Sequence, residues 1–163
     1  MPVFISHRTA DDAIARQVAN RLRTTHSITV YIDDIDQEVQ RAQGTAAITA
    51  LLVKRINACT NLLAIVSQNT QGSWWVPFEV GVARQSPRVI TTMTNQADSA
   101  LPEYLLEWPR LRGDAAIDTF ARIYKAQSRI LTEQVLEKRA PFSVQMSHVD
   151  QFQAALKTAL GQR

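Results

Sequence analysis

The sequence has few of the residues that cross-link or interrupt a chain. Cys59 is its single cysteine, and only 5 glycines and 6 prolines occur in 163 residues. One cysteine cannot form a disulfide within the chain, which excludes a small disulfide scaffold and favours a reducing compartment. So little glycine and proline excludes collagen-like and linker-like chains. We expect Cys59 in the core rather than as a nucleophile.

Long apolar runs and a strong charge of one sign are also missing. No run approaches the roughly 20 apolar residues of a membrane helix, and the first residues turn polar too early for a secretory signal. We therefore expect a cytoplasmic protein without a membrane partner. With 18 basic and 15 acidic residues, a nucleic-acid partner is not expected either. The dispersed His7, His26 and His148 lack the spacing of zinc ligands, so no metal is expected.

Short apolar runs alternate along the chain with stripes of helical spacing. Strands are predicted at 3–5, 28–32, 62–66, 88–93 and, more weakly, 105–111. Helices are predicted at 9–23, 45–58, 74–84, 114–130 and 149–160. This alternation indicates a flavodoxin-like three-layer αβα fold, with a five-stranded parallel sheet and extra C-terminal helices. We divide the chain into a core domain over 1–126 and a C-terminal helical extension over 127–163, packed on the same domain.

Candidate site residues follow the predicted strands at the point where each strand ends. In chain order they are Ser6, His7, Arg8, Asp33, Ser73, Trp74, Trp75 and Glu79. Because ligands of open parallel sheets bind outside the carboxyl ends of the strands, we expect these side chains to share one rim. Glu79 is expected one helical turn after Trp75.

Some of these residues also have a purely structural interpretation. Ser6 and Thr9 are equally well placed to cap the first helix. His7 is as well explained as a solvated loop histidine. Arg8 is able to pair with Asp33 for structure alone. The acidic run at 33–38 is better interpreted as a solvated loop than as a calcium loop, because it lacks the required glycine.

The two tryptophans and Glu79 share this ambiguity. Trp74 and Trp75 are adjacent, so on a helix they point about 100° apart. At most one of them is then expected in the core, and the other offers a stacking surface. Glu79 is open to interpretation as a surface glutamate, although its place near a helix start at the ligand rim argues for a functional role.

The order and spacing of these motifs resemble a bacterial TIR (Toll/interleukin-1 receptor) domain over residues 2–125. The opening V-F-I-S-H resembles the first strand and loop of the family, and V-Y-I-D before residue 34 resembles its second strand. The strongest match is an apolar strand ending in Ser67, followed by S-x-W-x-x-x-E on a helix. Here that motif is Ser73, Trp75 and Glu79. The chain departs from the family at Val76, where many members carry cysteine.

The resemblance implies an enzyme and its substrate. Many bacterial TIR domains cleave NAD between nicotinamide and ribose, and standalone members of the Thoeris type make a cyclic ADP-ribose signal in phage defence. Glu79 is then the catalytic carboxylate, the other rim residues contact the substrate, and no cofactor besides the substrate NAD is needed. The resemblance also implies self-association through TIR–TIR contacts, with loop 33–44 as a candidate contact, and a separate effector protein that senses the product.

Two functions of other classes stay open. One is a TIR module that docks to other TIR domains and cleaves nothing. The other is a nucleotide-binding protein similar to nucleoside deoxyribosyltransferases, which also place a glutamate at a glycosidic bond. Loss of NAD turnover in Glu79→Gln, with partner binding kept, would separate the first alternative from the enzyme.

Overall fold

The protein is built on one parallel β-sheet. The computed structural model describes residues 2–32, 45–137 and 139–162, so Asp33 and the loop at 33–44 lie outside the described residues. The strands are β1 (Pro2–Ser6), β2 (Thr29–Ile32), β3 (Asn61–Ile65), β4 (Val89–Met93) and β5 (Arg110–Leu111). They run in the order β2-β1-β3-β4-β5, and every pairing is parallel. This confirms the predicted flavodoxin-like α/β fold.

The helices occupy the connections between the strands and the C-terminal part of the chain. They are α1 (Asp12–Asn20), α2 (Thr45–Asn57), α3 (Trp75–Gln85), α4 (Gly113–Ile130) and α5 (Phe142–Ala159). A 3-10 turn (Thr9–Asp11) precedes α1, and π-helical turns follow α1 (Arg21–Thr25) and α4 (Leu131–Leu136). None of the helices in the described ranges is long and apolar enough to cross a membrane.

The alternation of side chains in β1 shows how the sheet separates two cores. Val3 and Ile5 belong to a cluster with buried residues of α1, α4 and α5. Phe4 points the other way, into a cluster with α2 and α3. A parallel sheet covered on both faces needs nearly continuous apolar strands, and β3 is buried along its whole length. The three layers therefore follow directly from the strand sequences.

The fifth strand is shorter than predicted. Instead of 105–111 it consists of Arg110–Leu111 alone, and Leu105 lies in a 3-10 turn (Glu103–Glu107). Pro109, which has no N–H to donate, comes directly before the strand. The amide of Gln162 covers the free edge: the Arg110 N–H donates to Gln162 Oε1 at 2.9 Å, and Gln162 Nε2 donates to the Arg110 carbonyl at 2.5 Å.

The C-terminal helices join the core on the α1 side of the sheet. Phe152 and Leu156 of α5 are fully buried in the same cluster as Val3. The helix begins at Phe142, earlier than the predicted 149. The sequence does not predict this start because the first turn is largely exposed and carries no apolar stripe. α4 continues through position 126, and the division into 1–126 and 127–163 stays a prediction.

Candidate functional site

Glu79 is the fifth residue of α3 and is completely buried. Its exposed fraction is 0%, and Val76, Val80 and Ala83 on the same helix are buried with it. Helical spacing of three and four residues puts these side chains on one face, turned toward the sheet. The interpretation as a surface glutamate is therefore wrong. Glutamate is seldom buried this completely, and this position keeps Glu79 a candidate site residue.

Ser6 lies on the same side of the sheet as Glu79. It is the last residue of β1, and alternation puts it on the face of Phe4, which packs against α2 and α3. Its side chain is 0% exposed, and its Oγ has no hydrogen-bond partner in the part of the chain that the structure describes. The first helical turns begin at Arg8 and Asp11 without a side-chain cap. The capping role considered for Ser6 is thus not observed.

His7 is buried rather than solvated. It is 7% exposed, and its Nε2 lies 3.4 Å from Asp12 Oδ1. A hydrogen bond from Arg16 lowers the pKa of Asp12, and the nearby imidazole lowers it further. His7 therefore stands directly after Ser6, buried and within 3.4 Å of the Asp12 carboxylate.

Arg8 reaches from the β1–α1 loop to the segment between β3 and α3. This stretch, residues 66–74, is called the β3–α3 segment below. The Nη1 of Arg8 donates to the backbone carbonyl of Asn69 and lies 3.4 Å from that of Gln71. The alternative pairing with Asp33 falls on a residue outside the described ranges. The guanidinium stays exposed at the carboxyl edge of the sheet.

The end of the β3–α3 segment carries the two indoles and Ser73. Trp74 is 89% exposed, whereas Trp75 is half-buried and meets Phe78 edge-to-face, with ring centroids 6.0 Å apart. The two rings thus point in different directions, as the sequence predicts. Ser73 Oγ lies 3.5 Å from the N–H of Val76 in the first turn of α3. Trp75 and Glu79 are four residues apart and so are neighbours on one helix face.

Asp11 is a feature that the sequence interpretation missed. The sequence suggests only an acid in the first helical turn, but the side chain is 1% exposed. Ser67 Oγ donates to both of its oxygens at 2.9 and 2.8 Å, and Asn69 Nδ2 donates to Oδ1 at 2.8 Å. The strand order could have predicted this contact. Because β1 and β3 are neighbouring parallel strands, the residues that follow them meet at the same edge of the sheet.

Described residues form two clefts at this edge of the sheet. One, of about 360 Å³, lies between the start of α1 and the segments that follow β3 and β4, with Asp11 in its wall. The other, of about 350 Å³, lies between the β3–α3 segment and residues 96–105, with Val76 in its wall. Glu79 lines neither cleft. Within the described ranges, no group of three or more acidic, histidine or cysteine side chains is able to hold a metal ion.

Comparison with known proteins identifies the family. Residues 3–130 match the family model of the TIR domain. That match covers most of the chain, and the protein belongs to the TIR domain family.

A curated relative is more specific. The chain is 25% identical over 115 residues to a Bacillus cereus (strain MSX-D12) protein named "Probable 3' cyclic ADP-D-ribose synthase ThsB'". The alignment covers 66% of this chain and 58% of the relative, so the chain spans little more than half of the relative's length. The predicted resemblance to TIR proteins of the Thoeris type is confirmed.

Proposed function

We propose that the protein is a TIR-type enzyme that cleaves NAD at the bond between nicotinamide and ribose. The carrying observation is the complete burial of Glu79 on α3, on the side of the sheet where Ser6 ends β1. Trp75, one helical turn earlier, adds an aromatic surface. Family membership and the name of the Bacillus relative support the same activity.

The chemistry suits a single carboxylate. Breaking a glycosidic bond passes through an oxocarbenium-like ribose with developing positive charge. The electron pair of the C–N bond returns to the nicotinamide ring nitrogen, so this group leaves neutral and needs no acid. Glu79 would stabilise the cation from a site that excludes water, where such an interaction is stronger than in solution. Attack by water, which loses a proton, gives ADP-ribose, and attack by a hydroxyl of the same molecule gives a cyclic product.

The remaining rim residues are proposed to hold the substrate. With NAD as the substrate, the proposed reaction needs no cofactor. Arg8 offers a cation for the diphosphate and Ser6 a hydroxyl for the ribose, next to His7. Trp75 or Trp74 offers a ring for nicotinamide or adenine to stack on. Ser73 is assigned with them on the motif, and Asp33, which lies outside the described residues, is assigned from its place directly after β2. A cyclic product would fit the relative's name. We further propose that a separate effector protein senses this product in bacterial antiviral defence inside the cytoplasm.

Release of nicotinamide from NAD tests this proposal. Concentrated wild-type protein should release nicotinamide, and Glu79→Gln should lose at least about a hundredfold in rate, the scale seen when a charge-stabilising group is removed. Glu137→Gln is the matched control, because it makes the same change at an exposed carboxylate paired with Arg139. Mass analysis of the product separates hydrolysis from cyclisation. Equal rates in wild type and Glu79→Gln would refute the assignment.

Docking without cleavage is the second candidate function. It is favoured by Trp74, a large aromatic ring that is 89% exposed at the rim of the site. Exposed aromatic residues are enriched where proteins meet. Folded wild-type protein that binds other TIR domains but releases no nicotinamide, even when concentrated, would establish this function instead. TIR family membership leaves the alternative related to nucleoside deoxyribosyltransferases without support.

A further inference from the structure

The Asp11 carboxylate joins two loops at the carboxyl edge of the sheet. It lies between β1 and α1, while both of its side-chain donors among the described residues, Ser67 and Asn69, belong to the β3–α3 segment. The contacts use both carboxylate oxygens. A single hydrogen bond would let the β3–α3 segment rotate about that contact. Two donors that are two residues apart also fix the orientation of its backbone.

Further bonds make the held segment rigid. The N–H of Asn69 donates to Ser67 Oγ at 2.9 Å, and the N–H of Ser67 donates to Thr70 Oγ1 at 3.0 Å. The N–H of Ser73 donates to the Thr70 carbonyl at 2.9 Å. Between them Gly72 turns the backbone at φ 77°, a conformation that residues with a Cβ rarely adopt. Movement at Ser67 would therefore be passed on to the first turn of α3.

Helix formation and core packing give no reason for a buried carboxylate at this position. An acid in a first helical turn stabilises a helix from the surface. A buried ionic group is often replaceable by an apolar side chain without loss of stability. Asp11 is nevertheless 1% exposed, and its described side-chain partners lie on the segment that leads to Trp75 and Glu79.

We propose that Asp11 is a positioning residue for cleavage of NAD. Through Ser67 and Asn69 it sets where α3 begins, and so where Glu79 and Trp75 stand relative to the ribose. This inference rests on the proposed function. It predicts a defect in the chemical step rather than in substrate binding, because geometry near the reacting atoms affects kcat steeply.

Asp11→Asn tests the proposal with two independent readouts. Asparagine keeps the size of the side chain but not the second carboxylate oxygen that Ser67 uses. The first readout needs no activity: hydrogen exchange at the amides of Asn69 and Ser73 should quicken at least about tenfold as the segment opens locally. The second is turnover: kcat should fall at least about tenfold, with KM for NAD within about twofold and a nearly unchanged Tm.

Two more variants separate positioning from simple structure. Ser67→Ala should lower kcat as Asp11→Asn does, and the double variant should be little worse than either, because both changes break the same contact. Asp150→Asn, at an exposed position of α5, should leave exchange and turnover as in wild type.

Each result has a defined meaning. Unchanged exchange at Asn69 and Ser73 in Asp11→Asn would overturn the proposal, whatever the activity. So would wild-type kcat in that variant, or a loss of kcat matched by a large fall in Tm. Wild-type protein without any turnover would refute the proposed function and the catalytic role together, and exchange would then show only whether Asp11 holds the segment.

Discussion

Cys59 shows how burial lowers the reactivity of a single side chain. It is 1% exposed in the cluster of α2 and α3, which confirms the predicted core position. Loss of solvent raises the pKa of its thiol to about 12, and nearby Arg88 offsets only part of this rise. Since the thiolate is the reactive form, we expect the Cys59 thiol to be unreactive at neutral pH.

Alkylation measures this directly. We expect native protein at about pH 8 to react with iodoacetamide at least about a hundredfold more slowly than protein unfolded in urea, whose thiol titrates near its ordinary value. Mass spectrometry over time follows the added group. Equal rates in the two states would mean that the thiol is not held in the core.

The site residues differ in how far sequence could reveal them. Glu79 was found from its spacing to Trp75 and from the place of its helix after a buried strand. The depth of its burial could not be read from that spacing, since it depends on how α3 packs on the sheet. Asp11 was missed because its partners Ser67 and Asn69 are 56 and 58 residues away along the chain.

At the scale of elements, charged side chains join the end of α1 to α4. Arg21, at the start of the π-helical turn, donates to both oxygens of Asp118 at 2.8 and 2.7 Å and to Asp114 at 2.8 Å. His26 lies 2.7 Å from Asp118 Oδ1. The hydrogen bond from Arg21, followed by that from His26, lowers the pKa of Asp118 well below its ordinary value.

The sign of the resulting pH dependence follows. A carboxyl whose pKa is lower in the folded protein stabilises it above the unfolded pKa of about 4, and this contribution is lost as pH falls further. We expect Asp118→Asn to lower Tm near neutral pH and to lie closer to wild type at about pH 2–3. Thermal unfolding followed by circular dichroism across this range measures both curves, with Asp150→Asn as the control. A constant difference in Tm would contradict the assignment.

The elements themselves were predictable wherever burial leaves a periodic pattern. The apolar runs of β1, β3 and β4 and the stripes of α1 and α2 gave their positions to within a few residues. The failures lie where structure depends on distant contacts or solvent. β5 is held at its edge by Gln162 from the C-terminal end. The first turn of α5 exposes Phe142 and Val144, so it has no apolar stripe from which a helix could be predicted.

At the scale of the whole molecule, the place of Glu79 relative to the clefts between described residues bears on how substrate reaches it. Glu79 is fully buried, and it lines neither of the two clefts that described residues form at the carboxyl edge. Val76 stands in the wall of the second cleft, one turn before Glu79, so among the described residues the start of α3 is where we expect substrate to approach. A neighbouring copy bound at this point would affect access to Glu79. The exposed Trp74 at this point favours a contact between copies.

Self-association would then control activity. We expect nicotinamide released per enzyme molecule to rise with protein concentration over a dilution series of about a hundredfold, because association follows mass action. Sedimentation velocity on the same series should show larger species where activity rises. Trp74→Ala should move both transitions to higher concentration, whereas Phe142→Ala, which removes an exposed ring from α5, should move neither. If release stayed strictly proportional to enzyme over the whole series, a single chain would be active alone, and the contact between copies would have no part in catalysis.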